Sequence, residues 1–157
     1  GFSAQRGAEM LSLMLGCGII SRLISGWISD RVGGLRTLLL GSGLQGVVLA
    51  AFLTADSLTA LYVVSACFGL SQGGVVPSYA IIVRTFFPDG EAGWRIGTAL
   101  FFTIFGMALG GWLAGFLYDV TGSYTVSFIN ALGFNAMNFL IVAFLLTRAR
   151  MLGAVTR

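Results

Sequence analysis

The sequence predicts an all-α protein that spans a membrane as a polytopic bundle of five transmembrane helices. Two observations lead to this fold class. Hydrophobic residues make up 57% of the 157 residues and charged residues only 10%, whereas a soluble domain carries about 25% charged residues to wet its surface. The chain also contains five apolar stretches, each close to or above the roughly 20 residues that a helix needs to cross the hydrocarbon core.

The predicted spans follow one another with short polar connectors, as in tightly packed helix bundles. They run over residues 8–28, 37–55, 58–84, 95–118 and 124–147. Small residues recur four positions apart within them, which predicts that helices approach each other closely. This spacing joins Gly69 to Gly73, Gly93 to Gly97, Gly106 to Gly110 and Gly111 to Gly115.

The connectors alternate in charge along the chain. One side of the predicted bundle has a single cation, Arg6, and the other collects seven: Arg31, Arg36, Arg84, Arg95, Arg148, Arg150 and Arg157. By the positive-inside rule the arginine-bearing side is cytoplasmic, and so is the C-terminus. We expect a multi-pass integral protein of a bacterial cytoplasmic membrane. The net charge of +3 follows from this topology; because the arginines are scattered among loops, it does not indicate nucleic-acid binding.

Enzyme, cofactor and metal chemistry find little support in the residues. The chain has no histidine, which removes a Ser-His-Asp set and most zinc sites. The segment Gly41–Gly46 reads GSGLQG, a formal match to the dinucleotide-binding fingerprint, but its flanks are uniformly apolar and no acidic residue follows about 20 positions on. The carboxylates lie in connectors, apart from Glu9 at the outer edge of the first span. We therefore expect no enzyme activity, no cofactor and no metal site.

Arg22 is the one charge well inside a predicted span. Placing a cation there costs about 2.5–3.5 kcal/mol on insertion scales. Its helical face carries Gly18, Ser25, Gly26 and Ser29, which suggests that this face looks into protein or a water-filled cavity. A guanidinium in such a place suits a carboxylate, since it forms two parallel hydrogen bonds. The alternatives are a structural ion pair, or a side chain that extends to the membrane surface.

The third and fourth spans carry further candidate binding residues. Gln72 and Tyr79 lie on one polar stripe of the third span, among Gly73, Gly74 and Pro77, which predict a kinked or opened helix. Interrupted helices mark the binding site in many transporters. The fourth span carries an aromatic stripe that includes Phe102 and Phe105. The alternatives are a structural kink with Gln72 bonded to a neighbouring helix, and aromatic rings that serve packing. Asn130, Asn135 and Asn138 in the last span are candidates for hydrogen bonds between helices.

The segment GWISDRVGGLR, from Gly26 to Arg36, resembles a loop of the major facilitator superfamily that joins the second and third helices of each six-helix half. The resemblance implies a gating loop made by Gly26, Asp30, Arg31, Gly33 and Arg36, in which Asp30 forms a latch that opens as the two halves rock. The basic pair usual after Gly33 is replaced here by Gly34-Leu35. The resemblance covers nearly the whole chain and would make it helices eight to twelve of twelve. We therefore expect a piece of a longer protein whose N-terminal half and seventh helix are missing.

Four further segments resemble the branch of monocarboxylate transporters and oxalate:formate antiporters. They are Ser21–Gly26, Phe68–Pro77, Arg84–Pro88 and Tyr118–Tyr124. In that branch the eighth-helix arginine holds the substrate carboxylate, and Arg22 matches it. Two departures bear on coupling: Gly18 stands where monocarboxylate carriers have an aspartate, and the fourth span lacks the lysine of oxalate exchangers. The first departure removes the aspartate that the resemblance would assign to proton coupling. The second disfavours a dicarboxylate held by two cations and thus favours a single carboxylate as substrate.

The function expected from the residues and the resemblance together is secondary active transport of small organic anions, namely monocarboxylates, by alternating access. Substrate contacts are expected from Arg22, Gln72, Tyr79, Phe102 and Phe105. The expected partners are the lipid bilayer, the missing half of the transporter, and a coupled proton or counter-anion. Two alternatives stay open: a drug or metabolite exporter of the same superfamily, in which Arg22 is structural, and a membrane scaffold or sensor that transports nothing.

Overall fold

The computed structural model describes residues 3–151, and nearly all of them are helical. The charged residue Arg157 lies outside this range. In chain order the structure has six α-helices: α1 (Ala4–Val32), α2 (Gly34–Phe52), α3 (Leu58–Gln72), α4 (Val75–Phe86), α5 (Ala92–Thr121) and α6 (Thr125–Met151). A single 3-10 turn, Asp89–Glu91, precedes α5. The all-α class is thereby confirmed.

Five segments are long and apolar enough to cross a membrane. Four of them are the single helices α1, α2, α5 and α6, while α3 and α4 together make the fifth, over Leu58–Phe86. Most of the helices extend beyond the apolar stretches, as α1 shows by ending at Val32 rather than near residue 28, whereas α2 ends at Phe52, before residue 55. Charged residues continue a helix without difficulty where it leaves the hydrocarbon for water, so hydropathy marks the spans but not the helix ends.

The connection between α1 and α2 is one residue long. Gly33 has φ 87° and ends α1 while it also precedes α2. This positive φ is strained for residues with a Cβ, which explains a glycine here. The next residue, Gly34, faces α4 so closely that a Cβ would lie 2.9 Å from the carbonyl oxygen of Ser78. The segment from Asp30 to Arg36 therefore forms a sharp helix-to-helix corner rather than a loop.

Helix α1 lies against α3 and also touches α2 and α4. Helix α2 lies against α3, α4 and α6, and α5 touches α4 and α6. The ends of α1, α4 and α6 and the beginning of α2 share one end of the bundle, which carries most of the arginines. The buried apolar cluster lies there, between α2 and α6, and consists of Leu35, Leu38, Val142, Leu146 and Ala149. Most other large apolar side chains are exposed, as expected for helices that face lipid or further protein.

Small residues let α1 and α3 approach each other. The Ser21 hydroxyl donates a hydrogen bond to the Leu70 carbonyl, and a Cβ added at Gly69 would clash with the Met14 carbonyl. The interpretation of Gly69 and Gly73 as packing residues is therefore confirmed. The glycines of α5 differ, because nothing within the described chain lies within 4 Å of a Cβ built at Gly93, Gly97, Gly106, Gly110, Gly111 or Gly115.

Amide side chains join α6 to α2, as expected of the asparagines in the last span. The Asn138 amide donates to the buried Ser42 hydroxyl at 3.0 Å, and the Asn135 amide donates to the Gln45 side-chain oxygen at 3.3 Å. The same Asn135 side chain fills the space left by Gly46, where a Cβ would lie 2.7 Å from Oδ1. The GSGLQG segment therefore lies within a continuous helix whose glycines make room for neighbours.

Candidate functional site

Arg22 lies on α1 ten residues before its last residue, or roughly 15 Å along the axis at 1.5 Å per residue. Its side chain is exposed at the surface of the five-span bundle, and it takes part in none of the ion pairs found among the described residues. The neighbouring residues on the same helix, Ser21 and Ser25, are turned toward α3 and α4. Arg22 therefore stands at the edge of the packed face, with its charge uncompensated by these five spans.

The break between α3 and α4 lies directly beside Arg22. The two residues Gly73 and Gly74 separate the helices, which confirms the predicted interruption. A Cβ at Gly73 would lie 2.7 Å from the Arg22 backbone nitrogen, and a Cβ at Gly74 would lie 2.7 Å from the Ser25 hydroxyl oxygen. The glycines thus bring the interrupted helix against α1. Gln72, the last residue of α3, is exposed and immediately precedes this break.

Tyr79 lies at a cavity that Arg22 does not line. It packs against the buried cluster between α2 and α6 and lines a space of about 560 Å³ bordered by α2, α3, α4, α5 and α6. The polar members of that lining are uncharged: Gln45, Tyr79, Thr103, Ser127, Asn130, Asn135 and Asn138. Arg22 is outside this cavity, so Tyr79 does not lie with the arginine. Gln72 directly precedes Gly73, which packs against the Arg22 backbone.

Phe102 and Phe105 lie on the surface of α5, with 64% and 57% of their area exposed. Each ring packs against Phe101, at centroid distances of 5.5 Å and 6.4 Å respectively. The α5 residues that line the 560 Å³ cavity are others, among them Thr103, Gly106 and Gly110. The two phenylalanines therefore present an apolar surface that the described helices leave uncovered.

The residues of the predicted gating loop lie together at the α1–α2 corner. Asp30, Arg31, Gly33 and Arg36 line a cavity of about 320 Å³ whose far wall is the end of α4. The Arg31 guanidinium stacks 3.7 Å above the Trp27 ring, which holds it along its own helix. Gly26 lies within α1 and is half-buried.

One polar contact escaped the sequence interpretation. At the other end of the bundle the Tyr62 hydroxyl donates to the Glu9 carboxylate, which also accepts from Arg6 at 3.0 Å. This contact ties the beginning of α1 to α3. Glu9 was visible as an acidic residue at a span edge, but its tyrosine partner is 53 residues away, so no local pattern could pair them.

Residues 3–151 show no group of His, Cys, Asp and Glu side chains that could hold a metal ion. The described residues offer groups suited to recognition: an exposed cation in the membrane-spanning part, an exposed amide at the helix break, and a charged corner at the bundle end. These features describe a multi-pass helical membrane protein with a cation beside an interrupted helix.

The sequence profile of the Major Facilitator Superfamily matches residues 1–154. The chain belongs to this superfamily. Among curated relatives it is 34% identical to Monocarboxylate transporter 13 of Rattus norvegicus over 126 residues, which cover 79% of this chain and 29% of the relative. It is 31% identical to the Gentisate transporter of Corynebacterium glutamicum over 111 residues, 70% of this chain and 25% of the relative.

A third relative is the 4-hydroxybenzoate transporter of Acinetobacter baylyi, at 29% identity over 123 residues, 73% of this chain and 26% of the relative. The chain thus spans less than a third of the length of these relatives. No solved structure matches it significantly. The three relatives are named for substrates that are organic acids or their anions.

Proposed function

We propose that this chain forms one wall of a secondary transporter for small organic anions, with monocarboxylates as the substrate class. In this proposal Arg22 binds the carboxylate and Gln72 donates a hydrogen bond beside it. The observation that carries the proposal is the exposed, unpaired guanidinium of Arg22 within a membrane-spanning helix, against the break between α3 and α4.

The energetic argument starts from the position of Arg22. A cation in a span is costly, and such residues in membrane proteins usually face the protein interior or an aqueous cavity. A purely structural ion pair would need a carboxylate, and the acidic side chains that form ion pairs among the described residues, Glu9 and Glu91, pair with other arginines. An incoming carboxylate would supply the missing charge. The names of the relatives support the same class, since monocarboxylate, gentisate and 4-hydroxybenzoate all offer a carboxylate.

The second wall is proposed to come from further helices of the same polypeptide. The chain covers 29% of the length of its rat relative, and α5 has no buried residue and a row of uncovered glycines. Both Phe102 and Phe105 lie on this uncovered helix and would shape the cavity once it is closed. The role of Tyr79 is indirect in this proposal: it lies on α4, the second half of the interrupted helix, and packs that half against the buried cluster between α2 and α6.

Alternating access is proposed to act at the corner made by Asp30, Arg31, Gly33 and Arg36, with Gly26 one turn before it. In this proposal the arginine-bearing end of the bundle and the C-terminus face the cytoplasm of a bacterial cell, in accordance with the positive-inside rule. Because α1 carries both Arg22 and this corner, a movement of α1 would couple the substrate site to the cytoplasmic end.

Transport by the polypeptide that the gene encodes, purified and reconstituted in proteoliposomes, tests the proposal. We expect uptake of radiolabelled lactate and benzoate, and little uptake of succinate or of a lipophilic cation. An imposed proton gradient and a preloaded unlabelled acid, applied separately, distinguish a coupled proton from a counter-anion. Flux of the lipophilic cation alone would favour a drug exporter, and no flux of any solute would favour a scaffold or sensor; either result refutes the proposal.

A further inference from the structure

Two adjoining cavities lie at the arginine-bearing end of the bundle. The first is the charged cavity, of about 320 Å³, between the α1–α2 corner and the end of α4. The second is the apolar cavity, of about 380 Å³, between α2, α4 and α6. Leu35 and Phe86 line both of them. The two spaces therefore meet along one edge, one suited to charge and the other to hydrocarbon.

Ser29 belongs to the wall of the charged cavity, and its buried hydroxyl has no partner among the described residues. Ser29 is only 1% exposed, it lines the cavity, and its Oγ is a buried side-chain polar atom without a hydrogen-bond partner among the described residues. Leaving a buried hydroxyl unpaired costs about 1–3 kcal/mol, so an orphan of this kind calls for an explanation. A ligand in the cavity that accepts a hydrogen bond from the Ser29 hydroxyl would explain why this hydroxyl has no protein partner.

The beginning of α2 adds backbone donors to the same cavity. The first N–H groups of a helix have no acceptor within the helix, and the cap residue Gly33 offers no side chain to replace one. Gly34 and Leu35 are buried and line the cavity. Such a helix beginning favours an anion through its free donors and its dipole.

The charges around the two cavities are mostly positive. Arg31 and Arg36 line the charged cavity together with one carboxylate, Asp30. Arg148 lines the apolar cavity, whose other lining residues are uncharged. The two cavities together are lined by three cations and one anion. This charge suits a ligand that has one negative group, together with hydroxyls that donate hydrogen bonds to the Asp30 carboxylate.

We propose that this end of the bundle binds one anionic phospholipid, with the headgroup phosphate in the charged cavity and the beginning of an acyl chain in the apolar cavity. The phosphate accepts hydrogen bonds from the Ser29 hydroxyl and the α2 backbone, and Arg36 and Arg148 balance its charge. A lipid fits better than free phosphate because Leu35, Ile82, Phe86, Phe87 and Leu145 line a hydrocarbon space beside the donors. That space lies at the edge of membrane-spanning helices, where lipid is the solvent.

The test uses the polypeptide that the gene encodes, delipidated in detergent and titrated with dioleoyl phosphatidylglycerol. Bound lipid is counted by mass spectrometry of the intact protein. Each variant that acts on the site has a matched control on the same surface. Arg148→Gln is compared with Arg150→Gln, two residues further along α6, and Arg36→Gln with Arg84→Gln on α4; both control arginines are exposed and line neither cavity. Ser29→Ala removes the orphan hydroxyl and leaves the charges unchanged.

We expect one phosphatidylglycerol per protein, retained by the two controls. Arg36→Gln and Arg148→Gln should each bind at least about tenfold more weakly, and Ser29→Ala about fivefold, in line with one charged and one neutral hydrogen bond. Equal binding by site variants and controls overturns the proposal, as does equal binding of dioleoyl phosphatidylcholine. Inorganic phosphate that displaces the lipid at equal concentration would show an anion site with no role for the acyl chain, and would also refute it.

Discussion

Replacement of Arg22 by glutamine gives the most direct access to the proposed substrate site. A guanidinium donates two parallel hydrogen bonds to a carboxylate, and hydrogen bonds to charged groups contribute about 1.5–3 kcal/mol each. Loss of both amounts to roughly 3–6 kcal/mol, and a factor of ten corresponds to about 1.4 kcal/mol. The apparent affinity for a monocarboxylate should therefore fall at least about 100-fold. Arg22→Lys keeps the charge but not the planar fork, and should fall between glutamine and arginine.

The structure also predicts what Arg22→Gln leaves intact. Arg22 is exposed and has no ion-pair partner among residues 3–151, so its removal strands no buried charge. It also removes the cost of about 2.5–3.5 kcal/mol for an arginine in a span, so insertion should be no weaker. The amount of protein in the membrane should match that of the wild type.

The assay is uptake of radiolabelled lactate over a concentration series in proteoliposomes, normalised to reconstituted protein. Arg150→Gln is the matched control, because it removes the same charge from an exposed position at the end of α6. Uptake by Arg22→Gln within about threefold of the control at low lactate would refute the reasoning, since a carboxylate anchor cannot be lost at so small a cost. Reduced uptake together with reduced protein in the membrane would instead assign Arg22 to folding, and would also contradict the proposal.

Three further predictions concern the fold and are measured as shifts in thermal unfolding in detergent. Gly73→Ala should destabilise by about 1–3 kcal/mol, because the methyl would lie 2.7 Å from the α1 backbone. Gly16→Ala on α1, with nothing within 4 Å, should be neutral or stabilising, and equal effects would contradict the packing. Gly33→Ala, in the connection between α1 and α2, should cost about 1–3 kcal/mol because of its φ of 87°, whereas Gly16→Ala within α1 should stabilise slightly. A Gly33 variant as stable as the wild type would contradict the sharp corner. Asn138→Ala should cost about 0.6 kcal/mol by removing the hydrogen bond to the buried Ser42 hydroxyl. The same substitution should cost nothing in a Ser42→Ala background. Equal costs in the two backgrounds would mean that the bond does not form.

The candidate site was only partly accessible to sequence interpretation. Arg22 could be identified because it is a single charge in an apolar span. Gly73 and Gly74 predicted the helix break beside it. The position of Tyr79 could not be predicted from the sequence, because the break between α3 and α4 interrupts the helical face that Tyr79 would share with Gln72. A break rotates the second half of the helix relative to the first, so residues on one predicted face need not share a cavity.

Composition and order along the chain determine the membrane character, the number of spans and the arginine-bearing end. A helix needs about 20 apolar residues to cross the bilayer, and basic residues accumulate in the loops on one side of it. The choice of neighbours does not follow from them. Helices in lipid gain no hydrophobic energy from one another, so their contacts depend on shape and on polar pairs between distant residues. Hence the corner at Gly33, the pairing of Asn138 with Ser42 and the unpartnered hydroxyl of Ser29 became visible only once the helices were packed together.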